Sequence, residues 1–214
     1  MLLNKGSNRK LIFRSFSLPR RFFHVTTIEG HEKKLKDEIK SKVSDAKNIR
    51  IQKRGVSFEG SSRSGFESVL WLRTALKVME RIGSQQQAIR SKDDLYDYVQ
   101  SINWDSIITV QNTIKCDAIL SKYNADALNL THSHFTALTI KNAIVDQFAN
   151  SKNDQSYRPN VDKENPDLPI IFYMHMNEPF IYRAWSGELS MHKRGYKTNA
   201  IHKAGLKETT AAGM

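Results

Sequence analysis

The feature that most constrains this chain is a repeated switch of hydrophobic period, from strand-like alternation to helical spacing and back within about 80 residues. Phe22 to Thr27 is a β-branched and aromatic run. After Glu29-Gly30 it gives way to Leu35, Ile39 and Val43, which recur every four residues between lysines. A strand followed by an amphipathic helix satisfies that pattern. Ile49 to Gln52 and Val56 to Phe58 flank Lys53-Arg54-Gly55 and read as two strands joined by a tight turn, Gly55 supplying a positive φ. Val69, Leu72, Leu76 and Met79 then form an i, i+3, i+7, i+10 stripe that predicts a helix from Gly65 to Glu80. Strand, helix, strand, strand, helix makes a small α+β layer.

A second unit begins at Ser91, which precedes Lys92-Asp93-Asp94 as a serine cap precedes first-turn acids, with Leu95, Val99 and Ile102 at helical spacing. From Thr113 to Leu120 the residues Ile114, Cys116, Ala118 and Leu120 share one strand face, which makes Cys116 a small core residue rather than a reactive thiolate. Ala137, Ile140, Ile144 and Phe148 mark a helix over Ser133 to Phe148 that carries Lys141 and Asn142 on its other face. Asn150 to Pro169 is polar and holds Pro159, Pro166 and Pro169, so it reads as an exposed connection. Ile170 to Met176 and Phe180 to Trp185 form a hairpin about Asn177-Glu178-Pro179. Trp104 and Trp185 are expected as core anchors.

Charge narrows the partner. Of 214 residues, 33 are Lys or Arg and 22 are Asp or Glu, a net +11, which suits RNA, DNA or an anionic membrane surface. Lys5, Arg9, Lys10, Arg14, Arg20 and Arg21 lie in an acid-free stretch ending near Ile28, in keeping with either an organellar transit peptide or a basic nucleic-acid-binding tail. Without import, the expected location is cytoplasmic or ribosome-associated. A second basic cluster, Lys193, Arg194, Lys197, Lys203 and Lys207, is opposed only by Glu208. No stretch reaches the roughly 20 apolar residues of a membrane span, and no membrane partner is expected. Catalytic machinery is not legible: the ten glycines form neither a dinucleotide fingerprint nor a P-loop, Cys116 is the only cysteine, and His132 and His134 lack a third metal ligand and read as capping or solvated residues. Neither catalytic nor metal-binding residues are assigned.

Several ordered segments resemble a known family. Tyr157-Arg158-Pro159-Asn160-Val161-Asp162 followed by Asn165-Pro166-Asp167 resembles the R-P-x-V-D…P-D pattern of THUMP domains in bacterial-type ribosomal RNA large-subunit methyltransferases. Ser101-Ile102-Asn103-Trp104, Lys141-Asn142-Ala143-Ile144-Val145-Asp146 and Gly55-Val56-Ser57-Phe58-Glu59-Gly60 are similar to that family's A-I-N-W, K-D-A-I-V-D and G-G-V-x-F-x-G segments. Leu189 to Lys197 with Leu206-Lys207-Glu208-Thr209 resembles the segment leading into its methyltransferase domain, with Gly205 where proline is usual. The resemblance implies an α+β architecture: a basic extension over 1–21, a ferredoxin-like module over 22–90, a THUMP domain with a mixed sheet flanked by helices over 91–185 (its start as early as 65), and a connection over 186–214. It further implies a methyltransferase domain in cis that uses S-adenosylmethionine to methylate a guanine exocyclic amine. The cofactor loop and the N/D-P-P-Y-type motif are absent from this chain, so no cofactor is expected within it.

The candidate RNA contacts are Arg158 and Asn160 in the proline-bearing loop, Lys193, Arg194 and Tyr196 beside Gly195, and Lys141 and Asn142 on the helix, since phosphate binding needs cations and reading needs amides and rings. Within the loop, Arg158 could instead pair with Asp162, and Asn160 could close a turn. The lead function is the RNA-holding region of a ribosomal RNA methyltransferase. The alternatives are a free-standing THUMP adaptor presenting transfer RNA to another enzyme, and a basic ribosome-associated or membrane-surface protein.

Overall fold

A computed structural model describes residues 20–84, 89–121, 130, 132–175, 178–195 and 205–214. The first unit runs β1 (Arg21–Thr27), α1 (Glu32–Lys42), β2 (Lys47–Gln52), β3 (Gly55–Gly60), α2 (Ser62–Trp71) and β4 (Ala75–Ser84). The second runs α3 (Lys92–Gln100), a 3-10 turn at Trp104–Ser106, β5 (Thr113–Leu120), α4 (Ser133–Lys152), β6 (Asn160–Val161), β7 (Leu168–His175) and β8 (Glu178–Ala184). A second 3-10 turn at Met191–Lys193 and a short α5 (Glu208–Gly213) follow. The strands make one mixed sheet in the order β2-β3-β1-β4-β8-β7-β5-β6. The first four strands pair antiparallel throughout, β5 runs parallel to both β6 and β7, and the two units meet where β4 pairs antiparallel with β8, Met79 facing Ala184 and Arg81 facing Tyr182.

Two cores lie on one face of this sheet. In the first, Leu35 and Ile39 of α1 pack on Phe23, Val25, Val56, Phe58 and Val78. In the second, Leu95 and Val99 of α3 and Ile140, Ile144 and Phe148 of α4 enclose Ile114, Ile170, Phe172 and Ile181. Trp104 is fully buried there and its Nε1 donates to the Val99 carbonyl at 2.8 Å. The cap expected at Ser91 is present in full: Ser91 Oγ accepts from the Asp94 amide at 3.0 Å, and the Asp94 carboxylate accepts from the Ser91 amide at 2.9 Å. The Asp94 carboxyl is correspondingly held below its ordinary range, mainly by the Arg90 amide. Cys116 faces the second core half-buried, and burial pushes its thiol up to about 12.

Three expectations need correction. The stripe Val69, Leu72, Leu76, Met79 is not one helix: α2 ends at Trp71 and β4 begins at Ala75. The carboxylate of Glu38, on α1, accepts from the Arg73 and Thr74 amides and from Thr74 Oγ1 at 3.3, 3.0 and 2.7 Å, and so captures the backbone between them. In the turn between β2 and β3 the left-handed residue is Arg54 (φ 59°), not Gly55. Gly55 is required for closeness instead, because a Cβ there would lie 2.7 Å from the Val25 carbonyl oxygen. The stretch from Asn150 is not wholly a connection, since α4 continues to Lys152 and Asn160–Val161 adds an edge strand to β5. Residues beyond 185 also fold back: Ser190 Oγ donates to the Leu76 carbonyl and Met191 is buried in the first core.

Candidate nucleic-acid interface

Of the residues singled out for RNA, the fold brings Lys141, Arg158 and Asn160 to one place. Lys141 projects from the middle of α4, which is anchored by Ile140, Ala143 and Ile144 on its buried side. Arg158 and Asn160 arrive by a loop whose path is fixed locally. Asn153 caps α4 in the left-handed conformation (φ 51°), and the Asp154 carboxylate accepts from the Ser156 hydroxyl and amide at 2.7 and 2.8 Å. Those bonds hold Asp154 below its ordinary carboxylate range. Tyr157 packs on the second core with Lys152 Nζ 5.9 Å from its ring centroid. Pro159 then turns the chain into β6, where Asn160 pairs with Thr113 and Val161 with Ile114. The result is an open cleft of about 180 Å³ lined by Lys141, Val145, Arg158, Pro159, Asn160 and Val161.

The electrostatics of this cleft are one-sided. Asp162, the nearest acid in sequence, accepts from the Glu164 and Asn165 amides at 2.9 and 3.0 Å, which keeps its carboxyl low and turns it toward the following loop. Asp167 likewise accepts from the Thr113 amide and hydroxyl at 2.8 and 3.1 Å. Among the described residues neither Lys141 nor Arg158 enters an ion pair, so the cleft presents two cations, a side-chain amide and apolar walls. That set suits a phosphate with an adjoining sugar or base. Asn142 is half-buried one position along α4 and does not line the cleft.

The other expected contacts lie elsewhere. Lys193 is exposed on the turn that packs against β4. Arg194 donates from Nη2 to the Leu72 carbonyl at 2.8 Å and from Nη1 to that of Leu70 at 3.5 Å, which satisfies carbonyls where α2 ends. Tyr196 lies outside the described residues, as do Lys197, Lys203 and residues 1–19. His132 and His134 are exposed at the start of α4, each edge-on to Phe135, and His132 makes no side-chain cap bond.

One charged cluster escaped the sequence reading. Glu80, on the central strand β4 and 4% exposed, accepts from Arg21, from Arg183 Nε at 2.7 Å and from Trp185 Nε1 at 2.7 Å. It had no distinct signal in the sequence, since Leu76 to Ile82 holds Lys77 and Arg81 as well as Glu80. Beside it a second cleft, of about 210 Å³, is lined by Asp167, Leu168, Arg183, Ala184 and Trp185. Neither cleft fits S-adenosylmethionine: both fall short of the roughly 300 Å³ at which ligand pockets begin, and neither has a glycine-lined wall.

Comparison with known proteins agrees with this architecture. Residues 90–183 match the THUMP domain and residues 23–79 the RlmL ferredoxin-like domain. The chain is 31% identical over 192 residues to the ribosomal RNA large subunit methyltransferase K/L of Hydrogenovibrio crunogenus, a match covering 90% of this chain and 24% of that protein. It is 35% identical over 185 residues to the protein of the same name from Desulfotalea psychrophila, covering 86% of this chain and again 24% of the relative. The chain therefore spans about a quarter of the length of these relatives. A crystal structure described as a possible methylase from Clostridium difficile 630 superposes with a TM-score of 0.74 at 22% identity, over 91% of this chain and 48% of that one. The chain therefore carries a region that matches the THUMP domain, preceded by one that matches the RlmL ferredoxin-like domain.

Proposed function

We propose that this chain is the RNA-holding region of an S-adenosylmethionine-dependent ribosomal RNA guanine-N2 methyltransferase, with a catalytic domain in cis binding the cofactor and transferring the methyl group. The observation that carries the reading is the cleft at the sheet edge, where Lys141 and Arg158 have no carboxylate partner among the described residues and stand beside Asn160 in a THUMP domain. Relatives named as ribosomal RNA methyltransferases support ribosomal RNA as the substrate. Lys193 extends the cationic surface on the other unit, with Asn142, Arg194 and Tyr196 as subsidiary contacts, and the compartment is that of the ribosome.

Fluorescence anisotropy at several salt concentrations, with a ribosomal RNA hairpin and a transfer RNA, tests this. The wild-type chain binds the hairpin more tightly than the transfer RNA, and affinity falls steeply with salt. Lys141→Glu with Arg158→Glu weakens binding and flattens the log–log salt slope by roughly 2, one counterion per lost phosphate contact. An unchanged slope in a folded double variant would remove the cleft from the reading, and preference for transfer RNA would favour the adaptor alternative.

A further inference from the structure

The sheet has a second face. Helices α1, α3 and α4 bury apolar residues in the two cores on the first face and α2 adds Val69, whereas the side chains pointing the other way, Met79, Ile171, Ala184 and Tyr182, form a separate cluster of strand residues. Strand register identifies what surrounds them. Phe22 of β1 lies beside Arg81 of β4, and Arg81 lies beside Tyr182 of β8. One step along, Phe180 lies beside Tyr173 and Tyr173 beside Ile119. Residues two apart share a face, so His24 and Lys77 also belong to it.

The composition of that face is unlike a core. Phe22 is 46% exposed and Ile119 54% exposed, and Arg81, Lys77, Phe180, Tyr182 and Tyr173 are half-buried. The Arg81 guanidinium lies 4.4 Å from the Phe22 ring centroid and 6.0 Å from that of Phe180. Among the described residues neither it nor Lys77 forms an ion pair. Of this face's carboxylates, Glu59 pairs with Arg20 at 3.8 Å and Asn48 at 3.0 Å and Asp117 with Lys115 at 3.6 Å, while Glu178, two positions from Phe180, is exposed at the start of β8. What remains is a row of rings with Arg81 and Lys77 between them, neither with a carboxylate partner among the described residues. Apolar docking would not call for those cations, whereas a polyanion carrying flat bases needs both parts.

We propose that this face, which no helix among the described residues covers, is a stacking platform for unpaired RNA bases, with Phe22, Phe180 and Tyr182 as the rings and Arg81 and Lys77 as phosphate contacts. The inference rests on the RNA-binding reading and adds a single-strand site on the opposite side of the sheet from the helices. RNA held at the edge cleft could extend an unpaired segment across the strands.

The test uses the whole chain with two RNAs, a closed hairpin and a single-stranded octamer carrying one 5-iodouridine. The octamer binds, and irradiation crosslinks the uridine to peptides containing Phe22, Phe180 or Tyr182. Phe22→Ala and the milder Phe22→Leu, which keeps an apolar side chain at this exposed position, each weaken octamer binding roughly tenfold, the loss of one stacked base. Both leave hairpin binding within twofold, whereas Lys141→Glu with Arg158→Glu has the reverse preference. Hairpin binding without octamer binding, or crosslinks confined to α4 and the Arg158 loop, would overturn the platform and leave the RNA reading intact. Failure to bind either RNA would overturn both. A Phe22-dependent dimer in sedimentation equilibrium would assign the face to a second copy of this chain and overturn the inference as well.

Discussion

Among the described residues, His24 carries a clear pH signature. Its Nδ1 lies 3.1 Å from Ser57 Oγ and its ring centroid 6.2 Å from that of Tyr182, with no carboxylate paired to it among the described residues. Burial lowers its pKa from 6.5 to about 4, partly offset by the Gln52 side chain. The native state therefore holds the ring neutral while the unfolded chain protonates it near pH 6.5. This contribution to stability is complete above pH 6.5 and is lost as pH falls toward 4, with a limiting slope of about 1.4 kcal/mol per pH unit. Urea titrations across that window should show a shallower decline for His24→Gln than for the wild type, and parallel declines would mean that His24 does not carry the linkage. At this scale the sequence was informative where a residue type has few physical options. Trp104 had to be buried with a partner for its indole N–H, and Arg158 beside a proline had to be at the surface. It was silent on Arg54, whose positive φ follows from the two-residue turn that joins β2 to β3, and on the loop amides that turn Asp162 away from Arg158.

At the scale of elements, the division between α2 and β4 depends on one carboxylate. Glu38 receives two backbone amides and a hydroxyl from Arg73 and Thr74, and the Thr74 carbonyl in turn accepts from Thr27 Oγ1 at 2.8 Å. Glu38→Ala leaves those amides without their charged acceptor, at a cost of about 2 kcal/mol. The expected signs are a lower urea midpoint and faster hydrogen exchange at the Arg73 and Thr74 amides, with exchange at α3 and α4 unchanged. Exchange at the two amides as slow as in the wild type would show that Glu38 does not fix the boundary. The same bond explains why the boundary was illegible. Leucine and methionine at three- and four-residue spacing satisfy a helical template, and β4, flanked by β1 and β8 and buried on both faces at Val78, Met79 and Glu80, does not show the alternation that would mark a strand. The capping box of α3 was legible for the opposite reason: donor and acceptor lie three residues apart, inside the window that a sequence pattern reports.

For the molecule as a whole, the decisive feature is that two domains share one sheet. The seam joins β4 to β8, about 100 residues apart in the chain, so no local periodicity could announce it, and the resemblance of separate segments to two domains does not by itself join them. The seam is reinforced by Glu80, whose buried carboxylate takes Arg21 from β1, Arg183 from β8 and the indole of Trp185. Trp185 also lies edge-on to Phe23 and Phe66, and a Cβ on Gly65 would come within 2.8 Å of its ring, so α2 closes over the same junction. Such a seam should make the domains unfold together. Tryptophan fluorescence and far-UV circular dichroism are expected to give coincident urea transitions for the wild type. Glu80→Ala strands Arg183, which is 19% exposed, and Arg21 without their acceptor, and should lower stability by about 3 kcal/mol. Because that loss falls on the junction rather than on either core, the two probes should then separate, the second core, around Trp104, persisting to higher urea than the first. A variant that loses stability yet keeps coincident transitions would show that the β4–β8 ladder alone suffices to couple the domains, with Glu80 adding stability but not cooperativity.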